Sequence, residues 1–247
     1  MTDDRAYFQK QMQRQSTWLS ESWLWIVDNM ISRSRGSLSG RGTALDVGCG
    51  PGFVAEIMKQ KMEMVGVDID VESVGESRSR GIDGSVAAGE FLPFADDSFD
   101  LVYCTFLLLW VKDPRLIVSE MKRVSKRWIA CLAEPDYGGR IGYPDSLSEL
   151  DDLLIEGVKE AGGDPYTGRK LSSIFSSCGM TPEIGIHPGA WNVVKLREES
   201  SGEWRHIEMT TTRQGTDLER LRKEWDMALD NGSLFQFNPI FYAVAEK

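Results

Sequence analysis

The stretch that decides the fold is Thr43–Gly52, which reads TALDVGCGPG. Its first five residues form a short, mostly apolar run with one acid, which suits a central strand buried on both faces. Gly48, Gly50 and Gly52 follow and keep side chains away from the point where the chain turns. The pattern predicts a buried strand, a tight turn and the start of a helix. In that arrangement a ligand packs against backbone N–H groups of the turn, which is typical of nucleotide binding.

The spacing of the glycines separates two kinds of nucleotide site. A dinucleotide fingerprint, G-x-G-x-x-G, needs a glycine at position 53, where this chain has Phe53. The next apolar run ends in Asp68, at the distance where the second strand of such a sheet presents an acid to ribose hydroxyls. Together the two signals favour a nucleoside site on an open α/β sheet and disfavour a nicotinamide dehydrogenase.

Two further sequence matches point to a family. With LDVGCGPG at 45–52 and GVDID at 66–70, the chain resembles the class I S-adenosylmethionine-dependent methyltransferases. The segment LPFADDSFD at 92–100 resembles the LPF-x-D-x-SFD segment that precedes the fourth strand of that family. The resemblance implies a Rossmann-like, doubly wound α/β fold, with a mostly parallel seven-stranded sheet and an antiparallel last strand. It also implies S-adenosylmethionine as the cofactor.

The rest of the chain predicts elements around that sheet. Residues 1–42 predict one or two amphipathic helices and a linker, which form a helical cap before a methyltransferase domain at 43–247. Within that domain, a helical insertion at about 140–178 separates the fifth and sixth strands. Ile184–His187 and Trp191–Leu196 predict two strands or one broken strand, and Ile240–Ala245 predicts the last strand.

The resemblance implies a role for each residue of the cofactor site. Asp46 is expected to orient the amino group of the cofactor through water, while the glycine turn approaches its methionine and ribose portions. Asp68 is expected to accept hydrogen bonds from the ribose hydroxyls, and Ile69 to flank the adenine. The full set of expected cofactor contacts is Asp46, Gly48, Cys49, Gly50, Gly52, Asp68, Ile69, Gly89, Glu90 and Thr105.

The chain departs from the family at the adenine side. Many members have an acid four residues before the leucine of the LPF segment, and it accepts a hydrogen bond from the adenine amino group, but this chain has Ala88. Gly89 still offers a backbone N–H, and Glu90 offers an acceptor. Relatives often carry histidines where this chain has Leu109 and Trp110. These departures support an alternative, a catalytically inactive methyltransferase fold that acts as a partner subunit.

Position along the chain predicts the substrate contacts. Tyr7 and Gln11 lie on the N-terminal segment that folds over the cleft in many relatives, and Trp110 follows the fourth strand. Tyr137 and Arg140 lie in the loop after the fifth strand, at the edge where open α/β sheets bind ligands.

The chemistry needs few catalytic side chains. Transfer of a methyl group from a sulfonium by in-line displacement depends mainly on geometry and on exclusion of water. An acceptor that must lose a proton also needs a base, and the candidates are Glu134, Asp136 and Tyr137.

The composition limits the partners. The 247 residues carry a net charge of −10, which leaves no basic surface for nucleic acid. Four scattered cysteines and two histidines predict a reduced, cytoplasmic protein without a bound metal. No leader and no apolar run of about 18 residues is seen, so no membrane contact is expected. We expect a monomer or homodimer that methylates a small molecule. A protein acceptor is the other alternative, although no N-P-P-like tetrapeptide follows the fourth strand.

Overall fold

The computed structural model describes residues 2–34, 41–191, 193–211 and 216–247. The α-helices in these residues are α1 (Thr2–Arg33), α2 (Phe53–Met58), α3 (Val71–Ser79), α4 (Pro114–Val124), α5 (Glu149–Glu160), α6 (Thr167–Ser177), α7 (Val193–Thr210) and α8 (Thr216–Asp230). The strands are β1 (Thr43–Val47), β2 (Glu63–Asp68), β3 (Asp83–Val86), β4 (Phe99–Thr105), β5 (Ser125–Pro135), β6 (Ile141–Tyr143), β7 (Glu183–Ile186), β8 (Ala190–Trp191), β9 (Phe235–Phe237) and β10 (Ile240–Glu246). Short 3₁₀ turns lie at Leu108–Trp110, Tyr137–Gly139 and Asp145–Leu147.

Seven strands form one sheet in the order β3-β2-β1-β4-β5-β10-β7. β1 lies between β2 and β4 and is parallel to both, while β3 is parallel to β2 and β5 is parallel to β4. The last strand, β10, is antiparallel to β7. The predicted Rossmann-like α/β fold, with a mostly parallel seven-stranded sheet and an antiparallel last strand, is confirmed.

The chain divides into two compact units. Unit 1 comprises Met1–Glu134, Lys170–His187 and Phe241–Lys247 and holds the seven-stranded sheet. Unit 2 comprises Pro135–Arg169 and Pro188–Ile240 and holds a small antiparallel sheet, β6-β9-β8, with α5, α7 and α8. The division into a cap at 1–42, a domain at 43–247 and an insertion at about 140–178 stays a prediction.

The core of unit 1 explains why its central strands are so apolar. Ala44–Val47 of β1 is completely buried, and β5 is buried almost without interruption from Trp128 onward, as expected of strands covered on both faces. α4 begins with Pro114 after Asp113, whose side chain accepts a hydrogen bond from the N–H of Arg115. Its buried residues recur at helical spacing and pack on the sheet, namely Ile117, Val118, Met121 and Val124.

α1 is one helix of 32 residues rather than two. Its buried side chains at helical spacing include Leu19, Trp23, Ile26 and Met30. No α-helix in the described part of the chain combines the length and the apolar character that crossing a bilayer requires.

A pair of side chains ties α1 to the sheet within unit 1. The Nε1 of Trp23 donates to the carbonyl of Leu132 at 3.1 Å, and the Nε2 of His187 lies 2.6 Å from the same oxygen. Because only an N–H bonds a carbonyl, His187 carries its proton on Nε2. Its Nδ1 then accepts from the hydroxyl of Ser22, 2.7 Å away. Burial lowers the pKa of His187, which favours this neutral form.

The structure corrects the prediction of a strand at Trp191–Leu196. Only Ala190–Trp191 is extended, and α7 begins at Val193. The β-branched pair Val193 and Val194 favours a strand locally. The longer helical periodicity outweighs it, because α7 buries Leu196, Ser200, Trp204 and Ile207.

Candidate functional site

The turn between β1 and α2 lies at the carboxyl end of a central strand. Gly48, Gly50 and Gly52 have φ angles of 73°, 52° and 86°, a region that residues with side chains rarely adopt. A Cβ on Gly48 would lie 2.9 Å from Cδ1 of Leu107, and one on Gly52 would lie 2.9 Å from Oγ of Ser77. Backbone conformation and close packing therefore both require glycine here.

The structure corrects the expectation that this turn offers its backbone N–H groups to a ligand. The N–H groups of Gly48 and Cys49 donate to the carbonyl of Val67, at 2.8 and 2.9 Å. The N–H of Gly50 donates to Oδ2 of Asp68 at 2.8 Å. These donors join the turn to β2. The turn therefore leaves space beside the sheet edge and holds the carboxylate of Asp68 in place.

Asp68 joins the two sequence motifs directly. Its second oxygen, Oδ1, accepts from the N–H of Asp70 at 2.9 Å. A carboxylate accepts about four hydrogen bonds, so about half of this capacity remains after the bonds from Gly50 and Asp70. The side chain lies partly exposed at the end of β2. It is therefore held in one orientation and still able to accept from hydroxyl groups.

Asp46 is a buried acid at the centre of the sheet. It is 1% exposed and lies in register with Gly66 on β2 and Tyr103 on β4. Burial raises the pKa of Asp46 to about 7, against a smaller lowering by the nearby hydroxyl of Tyr103. In the described residues, neither carboxylate oxygen receives a hydrogen bond of ordinary geometry. A buried carboxyl left without donors is costly, and such groups concentrate at functional sites.

The segment that follows β3 lies beside the end of β2. The N–H of Ala87 donates to the carbonyl of Asp68 at 3.0 Å. Ile69, the residue after β2, is 76% exposed. A Cβ on Gly89 would lie 2.8 Å from Cδ1 of Ile117, so this glycine is packed tightly, and Glu90 is partly exposed.

Two of the expected cofactor residues, Cys49 and Thr105, present little side-chain surface to a ligand. The side chain of Cys49 packs against Gly66, which leaves room for it. A Cβ on Gly66 would lie 2.8 Å from Sγ of Cys49. Burial raises the pKa of the Cys49 thiol, which keeps it neutral. The backbone of Cys49 is engaged as well, because its N–H donates to Val67 and its carbonyl accepts from the N–H of Gly52 at 3.0 Å. Thr105, at the end of β4, is partly exposed.

Glu134 holds the loop that follows β4. Its carboxylate accepts from the N–H groups of Leu107–Leu109, at 2.9, 2.6 and 3.2 Å. The side chain is 0% exposed, and burial raises its pKa to about 8, while the three N–H groups act in the opposite direction. Phe106 precedes these residues with a φ of 50°. Trp110 ends the loop and is 48% exposed.

Known proteins are similar to this chain in sequence and in fold. Residues 45–128, which include the turn, Asp46 and Asp68, match the family model of the methyltransferase domain. Over 181 residues the chain is 32% identical to an uncharacterized protein of Methanocaldococcus jannaschii, a match that covers 72% of this chain and 80% of that relative. The chain belongs to the class I S-adenosylmethionine-dependent methyltransferase family.

A second relative is similar to the chain in sequence, and a solved structure is similar to it in fold. The methyltransferase is 31% identical over 100 residues to the ubiquinone biosynthesis O-methyltransferase of Hahella chejuensis, covering 37% of this chain and 42% of that enzyme. Geranyl diphosphate methyltransferase in complex with S-adenosylmethionine has the same fold, with a TM-score of 0.52 and 16% identity. That match covers 95% of this chain and 84% of the other.

The loop after β5 lies in unit 2 of this methyltransferase, and its charged residues are engaged there. Arg169 makes a two-pronged ion pair with Asp136, with Nη2 2.7 Å from Oδ1 and Nε bonded to Oδ2. The side chain of Asp136 is 2% exposed. Arg140 pairs with Asp151 at 2.7 Å. Tyr137 packs against the core of unit 2.

The predicted contacts on α1 differ in exposure. Gln11 is 6% exposed, and its Oε1 accepts from Nη1 of Arg14 at 2.7 Å. Tyr7 makes an edge-on ring contact with Phe8, and Phe8 is 50% exposed.

Three residues of α1 near the turn were not predicted. A Cβ on Gly50 would lie 3.6 Å from Sδ of Met12. Arg5, Gln9 and Met12 help to line a pocket of about 350 Å³ together with Pro51 of the turn. Their spacing of three to four residues places them on one helix face, and that spacing is the signal that could have found them.

One buried group in the described residues resembles a metal site. Ligand atoms of Cys104, Cys131 and Glu134 lie within 4.8 Å of one another. The oxygens of Glu134 already accept three N–H groups, and burial raises the pKa of the Cys131 thiol, whereas a metal needs a thiolate. The expectation of no bound metal stays a prediction.

Proposed function

We propose that this protein uses S-adenosylmethionine to methylate a small-molecule acceptor. The observation that carries the proposal is the buried carboxyl of Asp46, which receives no hydrogen bond of ordinary geometry from the part of the chain that the structure describes. It lies beside a glycine turn that fixes a second acid, Asp68. An ammonium group supplies the donors that Asp46 lacks, either directly or through water, so the residues present fit this cofactor. When bound, the cofactor supplies a methyl group on a sulfonium.

The side chains around the turn take the following proposed roles. Asp46 orients the amino group, and Asp68 accepts from the ribose hydroxyls with the capacity that its two backbone bonds leave. Ile69 covers a face of the adenine, while Gly89 and Glu90 offer a donor and an acceptor at its edge. Gly48, Gly50 and Gly52 provide room, and Cys49 and Thr105 contribute as neighbours of that space.

In this proposal, most of the acceleration of methyl transfer comes from the positioning of the methyl donor and the acceptor. Leu107 packs on Gly48, and Met12 lies near Gly50, so apolar groups flank the turn and exclude water. Asp136 is ion-paired with Arg169, and Glu134 is completely buried with its oxygens bonded to three N–H groups, so neither side chain is free to reach an acceptor. An acceptor that reacts without a strong base therefore suits this chain.

Two considerations support a small acceptor. The net charge of −10 disfavours a polyanionic acceptor such as nucleic acid. The relatives named for ubiquinone biosynthesis and for geranyl diphosphate are named for small molecules.

Calorimetric titration with S-adenosylmethionine tests the proposal. We expect the wild type to bind with a Kd below about 1 mM. Asp68→Ala is expected to weaken binding at least tenfold, because charge-assisted hydrogen bonds are lost. Asp83→Asn, which changes an exposed acid of β3, is the control and keeps the wild-type Kd. If the folded wild type fails to bind at millimolar cofactor, the proposal is wrong and the inactive partner subunit is favoured.

A further inference from the structure

A single buried carboxylate organises the loop after β4. The two oxygens of Glu134 receive three consecutive backbone N–H groups, those of Leu107–Leu109. A buried backbone N–H group that is left unpaired costs free energy, so these three bonds hold the backbone of the loop in place. The next-to-last residue of β5 therefore fixes the backbone of a loop that begins at the end of β4.

The loop is strained, and the strain lies where these bonds begin. Phe106 has a φ of 50°, which is rare for a bulky residue and persists only where the surroundings impose it. Its N–H donates to the carbonyl of Ala133 at 2.7 Å. Two adjacent residues of β5, Ala133 and Glu134, thus hold the strained residue and the three residues after it.

Leu107 connects this loop to the glycine turn. Its N–H is held by Glu134, and its side chain lies against Gly48, where a Cβ would come within 2.9 Å of Cδ1 and 3.1 Å of Cδ2. Gly48 lies two residues after Asp46. A shift of the Leu107 backbone would therefore move the side chain that packs against the turn.

We propose that Glu134 is a positioning residue that seats Leu107 against Gly48 and thereby shapes the cofactor site. This rests on the proposed function, because the site is the one assigned above to S-adenosylmethionine. Glu134 acts through the backbone of Leu107–Leu109 and has no contact with the reacting atoms, because its side chain is completely buried and its oxygens are occupied.

Three variants measure the effect on binding of S-adenosylhomocysteine by calorimetry. Glu134→Gln keeps Oε1, which accepts from Leu107 and Leu108, but places an amide N–H₂ against the N–H of Leu109. Glu134→Ala removes all three bonds. We expect Kd to rise about threefold for Glu134→Gln and at least tenfold for Glu134→Ala. Leu107→Ala, which removes the contact with Gly48, is expected to raise Kd as much as Glu134→Ala.

The double variant separates positioning from general destabilisation. If Glu134 acts through Leu107, combining Glu134→Ala with Leu107→Ala raises Kd little further than either change alone. Asp100→Asn is the matched control. It removes a carboxylate that accepts from the N–H of Thr43 at 2.8 Å, at the opposite end of β1 and β4. It is expected to lower Tm and to keep Kd within twofold.

Hydrogen exchange gives a readout that needs no ligand. Glu134→Ala is expected to speed amide exchange at Leu107–Leu109 and also at Gly48–Gly50. Faster exchange confined to the loop, or additive effects on Kd, would overturn the proposal. If the wild type fails to bind S-adenosylhomocysteine, the proposed function is wrong, and the exchange result still decides whether Glu134 positions the turn.

Discussion

At the scale of single residues, the acid of β1 makes a prediction about pH. Burial raises the pKa of Asp46 from 3.8 to about 7, so the folded state retains a proton that the unfolded state has lost between these values. The free energy of unfolding is therefore expected to fall as pH rises through this window, by up to about 4 kcal/mol, and this contribution levels off above pH 7. Asp46→Asn removes the titration, so its Tm should change less between pH 5 and pH 8 than that of the wild type. The remaining dependence includes Glu134, which has the same sign, and His187, whose lowered pKa acts in the opposite direction. An unchanged difference in Tm would contradict the assignment, and Asp83→Asn is the control.

At the scale of elements, α1 is held near the turn by contacts to α3. Arg5 lies 3.1 Å from Asp70 and 3.2 Å from Glu76, and Nε2 of Gln9 lies 2.6 Å from Oε1 of Glu76. These groups are partly exposed, so they order the first turns of α1 and add little to global stability. Arg5→Ala is expected to speed amide exchange over residues 5–12 and leave residues 19–30 unchanged, with Tm within about 2 °C of the wild type. Lys10→Ala, an exposed change on the same helix, is the control. Equal exchange in both variants would show that the acidic residues of α3 do not hold α1.

At the scale of the whole molecule, each unit has its own hydrophobic core. Trp225 is completely buried in unit 2, and its Nε1 donates to Oγ of Ser200 at 2.9 Å. Trp225→Ala is expected to destabilise unit 2 by about 3–5 kcal/mol. Residues 135–169 and 193–211 should then lose amide protection before β1 and β4 do. Trp23→Ala, in unit 1, should reverse this order. Simultaneous loss of protection in both units would mean that they unfold together.

The part of the fold that the sequence predicts best is the part with local signals. The sequence predicts the strand at Thr43–Val47 with the correct first and last residues. A buried run followed by three glycines leaves few other conformations. The pairing of the turn with Asp68 also follows from spacing, because a carboxylate at the end of the neighbouring strand meets the same sheet edge. The spacing gives no information about hydrogen bonds. Only the structure shows that the N–H of Gly50 donates to Asp68 and fixes it.

Non-local interactions account for the rest. The strands β6, β8 and β9 have two or three residues each and pair across a large separation in sequence, so no local pattern marks them. The strand predicted at Trp191–Leu196 is wrong because a six-residue window favoured β-branched residues, whereas the helix that forms extends to Thr210. The roles predicted for Glu134 and Asp136 rested on charge and position. Sequence does not reveal that backbone donors and Arg169 occupy these carboxylates.

The shared carbonyl of Leu132 has a consequence for synthesis of the chain. The hydrogen bond from Trp23 to Leu132 cannot form until β5, which ends more than 100 residues later, has been synthesised. His187, which bonds Ser22, follows it by 165 residues. At roughly 5–20 residues per second, a ribosome needs on the order of 10 to 30 s to deliver His187 after Ser22. During that interval the apolar face of α1 has no completed core to cover it. The nascent helix is therefore a natural binding site for chaperones, and it is among the last segments of unit 1 to be locked in place, although it is made first.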